Sequence, residues 1–197
     1  SGLSKLRDNL DELKRSWTAG LTTVSFVSGL AFAGLAVTGQ DFVVLLLGEK
    51  WGPAGPLLCL LAIRGIAHGT ERTLGWLHVV AGRTDRWAKW GVFSAVCHLL
   101  ALAAGLPFGP IGITTAYALV MFVLFVPALV YSGSPLGIGT KDVLSAAGPS
   151  TAAAVCAAAV GLGLQYAFMA EFNPLARFCI SGLICAVTYL LVAVGLF

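Results

Sequence analysis

The chain is dominated by apolar stretches that are each long enough to cross a lipid bilayer. An α-helix needs about 20 apolar residues to span a hydrocarbon core of about 30 Å. Six stretches meet this length, and they are predicted over residues 17–38, 54–81, 87–105, 111–131, 143–165 and 174–196. A chain of this kind can satisfy its backbone hydrogen bonds in lipid by forming helices. The sequence therefore predicts an all-α integral membrane protein in which residues 17–197 form one six-span transmembrane bundle.

The composition agrees with a membrane protein and excludes a water-soluble one. Of the 197 residues, 58% are hydrophobic and 11% are charged, and the mean hydropathy is +0.90. A soluble domain has about a quarter of its residues charged. The net charge of +3 therefore does not indicate a nucleic-acid partner, because its meaning depends on the side of the membrane where each Lys and Arg lies.

The distribution of basic residues over the loops predicts the orientation. Lys and Arg collect in cytoplasmic loops. With the N-terminus inside, the inside loops hold Lys5, Arg7, Lys14, Arg15, Arg83, Arg86, Lys89 and Lys141. The outside loops hold Lys50 and Arg177, and the second span holds Arg64 and Arg72. Both termini of this segment are therefore expected to be cytoplasmic.

Two segments outside the spans have patterns of their own. In residues 1–16, leucines recur at spacings of three and four among mixed charges, which predicts an amphipathic helix on the cytoplasmic surface. The apolar run 42–47 is too short to span and is predicted to be either a helix extension or an interfacial turn. The sequence has no initiating Met and no signal peptide, so we expect it to begin within a larger protein.

A stripe of ionisable side chains lies inside the second span. Positions 64, 68, 71, 75 and 78 follow helical spacing and cover about 80° of the helix circumference, and position 72 lies about 40° beyond the edge. A charge at the bilayer centre costs roughly 2.5 kcal/mol or more, so such a stripe faces protein or water. The predicted substrate-binding residues are Arg64, His68, Glu71, Arg72 and His78.

The charge of this stripe favours an anionic ligand. Two Arg residues outweigh one Glu, and the two His residues titrate near neutrality. Arg suits phosphate because its planar fork makes two parallel charge-assisted hydrogen bonds. A neutral sugar would instead use amides, hydroxyls and aromatic faces, for which Tyr117, Trp76 and the threonines of the first span are candidates. The alternative is a neutralised structural network, in which Glu71 pairs with Arg64 or His78 and fixes helix packing.

The sequence lacks the residue patterns of metal sites and of common enzyme families. The five cysteines are scattered through the predicted spans without metal-ligand spacing, and His68 with Glu71 has no second ligand cluster. Nucleophile, zinc-protease and nucleotide-binding motifs are absent from the sequence. His98 is interpreted as a hydrogen-bonded buried histidine without a mechanism. The sequence thus predicts no enzyme, no metal and no cofactor.

Several motifs resemble those of a transporter family. They are Leu45-Leu46-Leu47-Gly48-Glu49-Lys50-Trp51-Gly52-Pro53-Ala54-Gly55-Pro56-Leu57-Leu58, then Ala81-Gly82-Arg83, Pro107-Phe108-Gly109-Pro110-Ile111-Gly112-Ile113 and the opening Gly2-Leu3-Ser4-Lys5-Leu6-Arg7-Asp8. Together they resemble the polysaccharide-flippase branch of the multidrug/oligosaccharidyl-lipid/polysaccharide exporter superfamily. The last two spans are generic apolar helices and add little to this resemblance.

The resemblance implies both an architecture and a substrate. It implies a two-bundle transporter of about twelve or more spans, with this chain as the C-terminal half and a six-helix N-terminal half of the same parent protein as its partner. It also implies export of oligosaccharide units carried on polyprenyl diphosphate, by alternating access, across the bacterial inner membrane, in contact with membrane lipids. On this hypothesis Arg64 and Arg72 meet the diphosphate, while Glu71 and the two histidines tune charge and couple an ion or proton.

Two other functions stay open from the sequence. One is an ion-coupled multidrug-type exporter of the same fold, which would prefer cationic substrates and is disfavoured by the excess of Arg over Glu. The other is a non-transporting scaffold of a cell-envelope synthesis complex, in which the stripe would only hold helices together. Water accessibility of the stripe separates these functions, because a substrate path is wet and a packing network is dry.

Overall fold

The chain is helical throughout the part that the structure describes. The computed structural model describes residues 2–169 and 171–196, and within these it describes side chains other than those of residues 2–10, 67–70 and 72. These residues form no β-strand, and their α-helices are α1 (Gly2–Leu47), α2 (Gly55–Val80), α3 (Thr84–Gly105), α4 (Gly109–Gly133), α5 (Thr140–Phe168) and α6 (Pro174–Leu196). The predicted all-α class is confirmed.

Four helical stretches among the described residues are long and apolar enough to cross a membrane. They are Asp11–Leu47, Thr84–Leu136, Thr140–Phe168 and Pro174–Leu196. The second stretch contains both α3 and α4. These helices support a multi-pass membrane protein, whereas the count of six spans and the division of the chain at residue 17 stay predictions.

Helix α1 is longer than the sequence pattern suggested. It runs without a break from Gly2 to Leu47, nine residues past the predicted end of the first span. The run 42–47 is therefore a helix extension rather than an interfacial turn. The helix ends before Gly48, whose φ of 89° lies in the region that favours glycine.

Two apolar clusters hold the helices together. One joins α1, α2, α5 and α6, and its buried members are Ala33, Val37, Ile66, Ala153, Ala154, Ala157, Cys185, Tyr189 and Ala193. The other joins α1, α2, α4 and α5 with the segment before α5, and its buried members are Trp17, Leu21, Leu74, Leu77, Ala128, Leu129, Ile138, Val143, Ala146 and Ala147. Small residues on α5 let the helices approach closely, as is common in membrane bundles. One side of α2 packs against these clusters. The charged stripe on its other side therefore faces α3 and α4.

Polar contacts connect loops that the orientation prediction places on the same side of the membrane. At one end of the bundle, Lys14 Nζ lies 2.9 Å from Asp142 Oδ1, and Arg86 Nη2 donates to the Tyr131 carbonyl over 2.9 Å. At the other end, Gln40 Nε2 donates to the Gly52 carbonyl over 3.3 Å. The predicted grouping of the loops agrees with these contacts, while the end that faces the cytoplasm stays a prediction.

The motif around residues 105–113 forms the tight connection between α3 and α4. A Cβ added to Gly105 would lie 2.7 Å from the Gly112 carbonyl oxygen, and Gly109 has a φ of 67°. Both positions therefore require glycine, one for close backbone approach and the other for its conformation. The resulting antiparallel pair brings the middle of α3 beside the middle of α4, where both helices reach the stripe of α2.

Candidate functional site: a polar cavity between α2, α3 and α4

The charged stripe opens into one partly open cavity of about 540 Å³. Its lining comprises Arg64, Glu71, Leu74, Gly75, His78, Trp87, Trp90, Gly91, Ser94, His98, Tyr117, Met121, Ala128 and Ser132. Three of the five predicted site residues, Arg64, Glu71 and His78, are therefore brought to one space. The side chains of the other two, His68 and Arg72, lie outside the described residues.

Arg64 has weak partners for a guanidinium inside a helix bundle. Its Nη2 donates to Met121 Sδ over 2.9 Å, and its guanidinium carbon lies 4.6 Å from the centroid of the Tyr117 ring. A thioether is a weak acceptor. Its Nε is buried and makes no hydrogen bond within the described part of the chain. This cation therefore retains capacity to donate to an anion that enters the cavity.

Glu71 and His78 continue the stripe along α2. Glu71 is half-buried and lies seven residues, or about 10.5 Å of helix rise, from both Arg64 and His78. His78 is 1% exposed, and a 3.0 Å hydrogen bond joins its Nε2 to Ser132 Oγ on α4. Its Nδ1 is buried and has no hydrogen-bond partner among the described residues. The cavity is thus lined along about 21 Å of α2 by ionisable groups.

Sequence reasoning missed the contribution of α3. His98 lines the cavity, and its Nδ1 donates to the Ser94 carbonyl over 2.7 Å. Its ring lies 5.3 Å from that of Tyr117. The interpretation of His98 as hydrogen-bonded is confirmed, but the residue is half-buried and belongs to the site. The third and fourth predicted spans follow each other closely, which favours antiparallel pairing. That pairing could have indicated that His98 lies near Arg64.

Only one of the two predicted sugar-binding aromatic residues lines the cavity. Tyr117 lines the cavity, whereas Trp76, the other sugar-binding candidate, is 47% exposed and is not part of the lining. Trp87 and Trp90, which were not among the predicted sugar-binding residues, also line it. Trp90 stacks on Tyr131 at a centroid distance of 5.5 Å.

A second charged cluster lies apart from the cavity, between α1, α5 and α6. Asp41 is fully buried and accepts from Arg177 Nε at 2.9 and 2.8 Å and from Gln165 Nε2 at 3.0 Å. Arg177 Nη2 also donates to this carboxylate. Arg177, which the sequence prediction places at the outside end of the bundle, lies in the first turn of α6. Its guanidinium reaches inward to neutralise Asp41.

No metal centre is found in the described part of the chain. No group of three or more His, Cys, Asp or Glu residues there could hold a metal ion. The five cysteines are free thiols. The chemistry of the cavity is therefore that of charge, hydrogen bonding and aromatic surface.

Comparison with known proteins finds partial relatives in two bacteria. The lipopolysaccharide biosynthesis protein WzxC of Escherichia coli (strain K12) is 30% identical over 121 residues, which are 61% of this chain and 25% of that protein. An uncharacterized membrane protein in the cps region of Klebsiella pneumoniae is 31% identical over 83 residues, which are 42% of this chain and 17% of that protein.

These matches cover the relatives only in part. The chain spans about a quarter or less of the length of the curated relatives it matches. No family model matches the sequence, and no solved structure matches it significantly. The apolar helices and the two relatives agree that the chain is a multi-pass membrane protein, similar over part of its length to a lipopolysaccharide biosynthesis protein.

Proposed function

We propose that this chain forms the C-terminal half of a two-bundle exporter, not an enzyme, in the bacterial inner membrane. Its cargo is an oligosaccharide or polysaccharide repeat unit carried on polyprenyl diphosphate, which alternating access moves from the cytoplasmic to the periplasmic face. The observation that carries this proposal is the cavity that Arg64, Glu71 and His78 of α2 line together.

The cavity suits the head of such a lipid. A diphosphate must cross the apolar part of the bilayer with its negative charges compensated, because an isolated buried anion is strongly disfavoured. Arg64 lies at the cavity wall with a thioether and an aromatic face as partners. Two parallel charge-assisted hydrogen bonds to a phosphate would be far stronger than these contacts.

Each member of the stripe has a role in this proposal. Arg64 and Arg72 bind the diphosphate, and Glu71, His68 and His78 adjust the local charge and couple an ion or proton to transport. The N-terminal half of the parent protein closes the open side of the cavity. Intramembrane ionisable groups of this kind typically mark transport pathways.

A multidrug-type exporter with cationic cargo fits the described charges less well. Such a protein needs an acidic group that is available to a cation. Asp41 is fully buried, but its carboxylate is neutralised by Arg177. Glu71 is an acidic member of the cavity lining, but it shares that lining with Arg64, so the paired Asp41 and the cationic Arg64 favour an anionic cargo.

Filling the cavity tests the proposal without removing any charged group. Gly91 lines the cavity, and a Cβ added there meets nothing within 4 Å. Gly91→Trp in the full-length parent protein should therefore insert a large ring into the space without displacing backbone. We expect surface polysaccharide to fall at least about tenfold and lipid-linked repeat units to accumulate inside the cell. Both are measured in a strain that lacks the chromosomal copy.

A matched control uses a glycine on α5. Gly163 is exposed and equally free of neighbours within 4 Å, but it lies outside the cavity. Gly163→Trp should leave export unchanged. Normal export by a Gly91→Trp protein that reaches the membrane in wild-type amount would contradict the proposed path.

A further inference from the structure

The cavity has two chemically different ends, and we propose that the end at Trp87 is a subsite for a sugar of the cargo, with Trp87 as its stacking surface. The inference rests on the proposed function and deepens it. The phosphate end is at Arg64, and the sugar end lies between Trp87, Gly75, His78 and Ser132.

The helix register separates the two ends. Arg64, Tyr117 and His98 form one group, because the Tyr117 ring lies 4.6 Å from the Arg64 guanidinium carbon and 5.3 Å from the His98 ring. His78 lies about 21 Å further along α2, at the level of Ser132. A diphosphate at Arg64 therefore leaves room along the same wall for several sugars of the repeat unit that it carries.

Trp87 is positioned against the backbone of α2. A Cβ added to Gly75 would lie 3.4 Å from the Cε2 and Cζ2 atoms of the indole, which is ordinary van der Waals contact. Gly75 has no side chain to cover the ring, and Trp87 remains 47% exposed while lining the cavity. The neighbouring Trp90 differs, because Tyr131 stacks on it. Trp87 therefore offers aromatic surface to a ligand.

A sugar can use both the aromatic face and the hydrogen-bonding group that lie at this end of the cavity. The C–H face of a pyranose carries partial positive charge and packs on the negative face of an aromatic ring, while its hydroxyls need fixed hydrogen-bond partners. His78 is the partner that we assign to a hydroxyl, because it lines the cavity and its buried Nδ1 has no hydrogen bond within the described residues. Its Nε2 is held by Ser132 Oγ, which fixes the ring for recognition.

An interfacial belt position does not account for these features together. A belt tryptophan lies at the lipid headgroups. Trp87 instead shares one cavity with a buried, partly unsatisfied histidine and with Arg64. The combination indicates a ligand that is apolar on one face, rich in hydroxyls and linked to an anion.

Binding of bare and glycosylated lipids to the purified full-length parent protein tests the subsite. The probes are undecaprenyl diphosphate and undecaprenyl diphosphate that carries a chain of one, two, three or four glucose residues, each prepared separately. We expect the wild-type protein to bind at least one glycosylated lipid about fivefold more tightly than the bare one. Trp87→Leu should abolish that preference and leave the affinity for bare undecaprenyl diphosphate unchanged, and Trp87→Phe should keep part of it.

Two further variants separate the subsite from the proposed function. Arg64→Gln should weaken both lipids alike, and Trp51→Leu, which alters an exposed tryptophan outside the cavity, should change neither. Equal binding of bare and glycosylated lipids by the wild type, or a preference that survives Trp87→Leu, would overturn the sugar subsite alone. Failure of the wild type to bind either kind of lipid would overturn both the sugar subsite and the proposed function.

Discussion

Replacement of Arg64 by Gln in the full-length parent protein is expected to lower export of polysaccharide about a hundredfold. Gln keeps a polar side chain but cannot supply a charged, two-pronged donor to phosphate. Loss of two charge-assisted hydrogen bonds costs roughly 3 kcal/mol, which corresponds to about a hundredfold in affinity. The measurement is the amount of surface polysaccharide relative to lipid-linked repeat units retained inside the cell.

The same substitution should leave the protein folded. The neighbours of the Arg64 guanidinium include a thioether and a phenol ring, neither of which becomes an unpaired charge when Arg64 is replaced. Arg64→Lys should restore part of the export, since it returns the charge without the fork. Arg83→Gln is the control, because Arg83 is exposed outside the cavity and lies 3.4 Å from Asp85. Loss of the Arg64→Gln protein from the membrane would indicate a structural role instead.

Replacement of Arg177 by Leu is expected to destabilise the bundle by about 3–5 kcal/mol, because it leaves a buried carboxylate without its cation. Asp41 is fully buried, and Arg177 binds it through both Nε and Nη2. Gln165 would remain as a neutral donor at 3.0 Å, which compensates only part of the charge. The effect is measured as a fall in the unfolding midpoint of the detergent-solubilised parent protein.

A double substitution distinguishes an unpaired charge from lost packing. Asp41→Asn together with Arg177→Leu removes both charges and should recover a substantial part of the stability lost in Arg177→Leu alone. Arg83→Leu breaks an exposed pair and should cost less than about 1 kcal/mol. Equal unfolding midpoints for Arg177→Leu and Arg83→Leu would show that the buried pair contributes little.

Helix positions were largely predictable because apolar runs are separated by Gly, Pro and charged residues. The second span, predicted over 54–81, corresponds to Gly55–Val80, and the last, predicted over 174–196, corresponds to Pro174–Leu196. The end of α1 was missed because Gly39 and Asp41 suggested a loop. In the structure Asp41 stays in the helix, since Arg177 neutralises it there.

Only the part of the site that lies on α2 was predictable from the sequence. Periodicity reports which residues share a face, and it brought Arg64, Glu71 and His78 together correctly. It carries no information on which other helix faces them, so the contributions of His98 and Trp87 were missed. The pair between Asp41 and Arg177 joins residues 136 positions apart, and local sequence patterns cannot report such a contact.

The central claim is that the stripe lines a wet path for an anionic lipid, and thiol labelling tests it most directly. Single cysteines are placed in the full-length parent protein, without its native cysteines, and exposed in membranes to a membrane-impermeant, water-soluble reagent. The test positions are Arg64, His68, Glu71 and His78. The controls are Ile66, which is buried in the apolar cluster with α1, α5 and α6, and Ile63, which is 42% exposed outside the cavity.

The predicted result is labelling along the stripe, protection by undecaprenyl-diphosphate-linked oligosaccharide, and no reaction at Ile66 or Ile63. Silence at all four stripe positions, in protein shown to be folded and inserted, would mean a dry packing network and would contradict the proposed transport path.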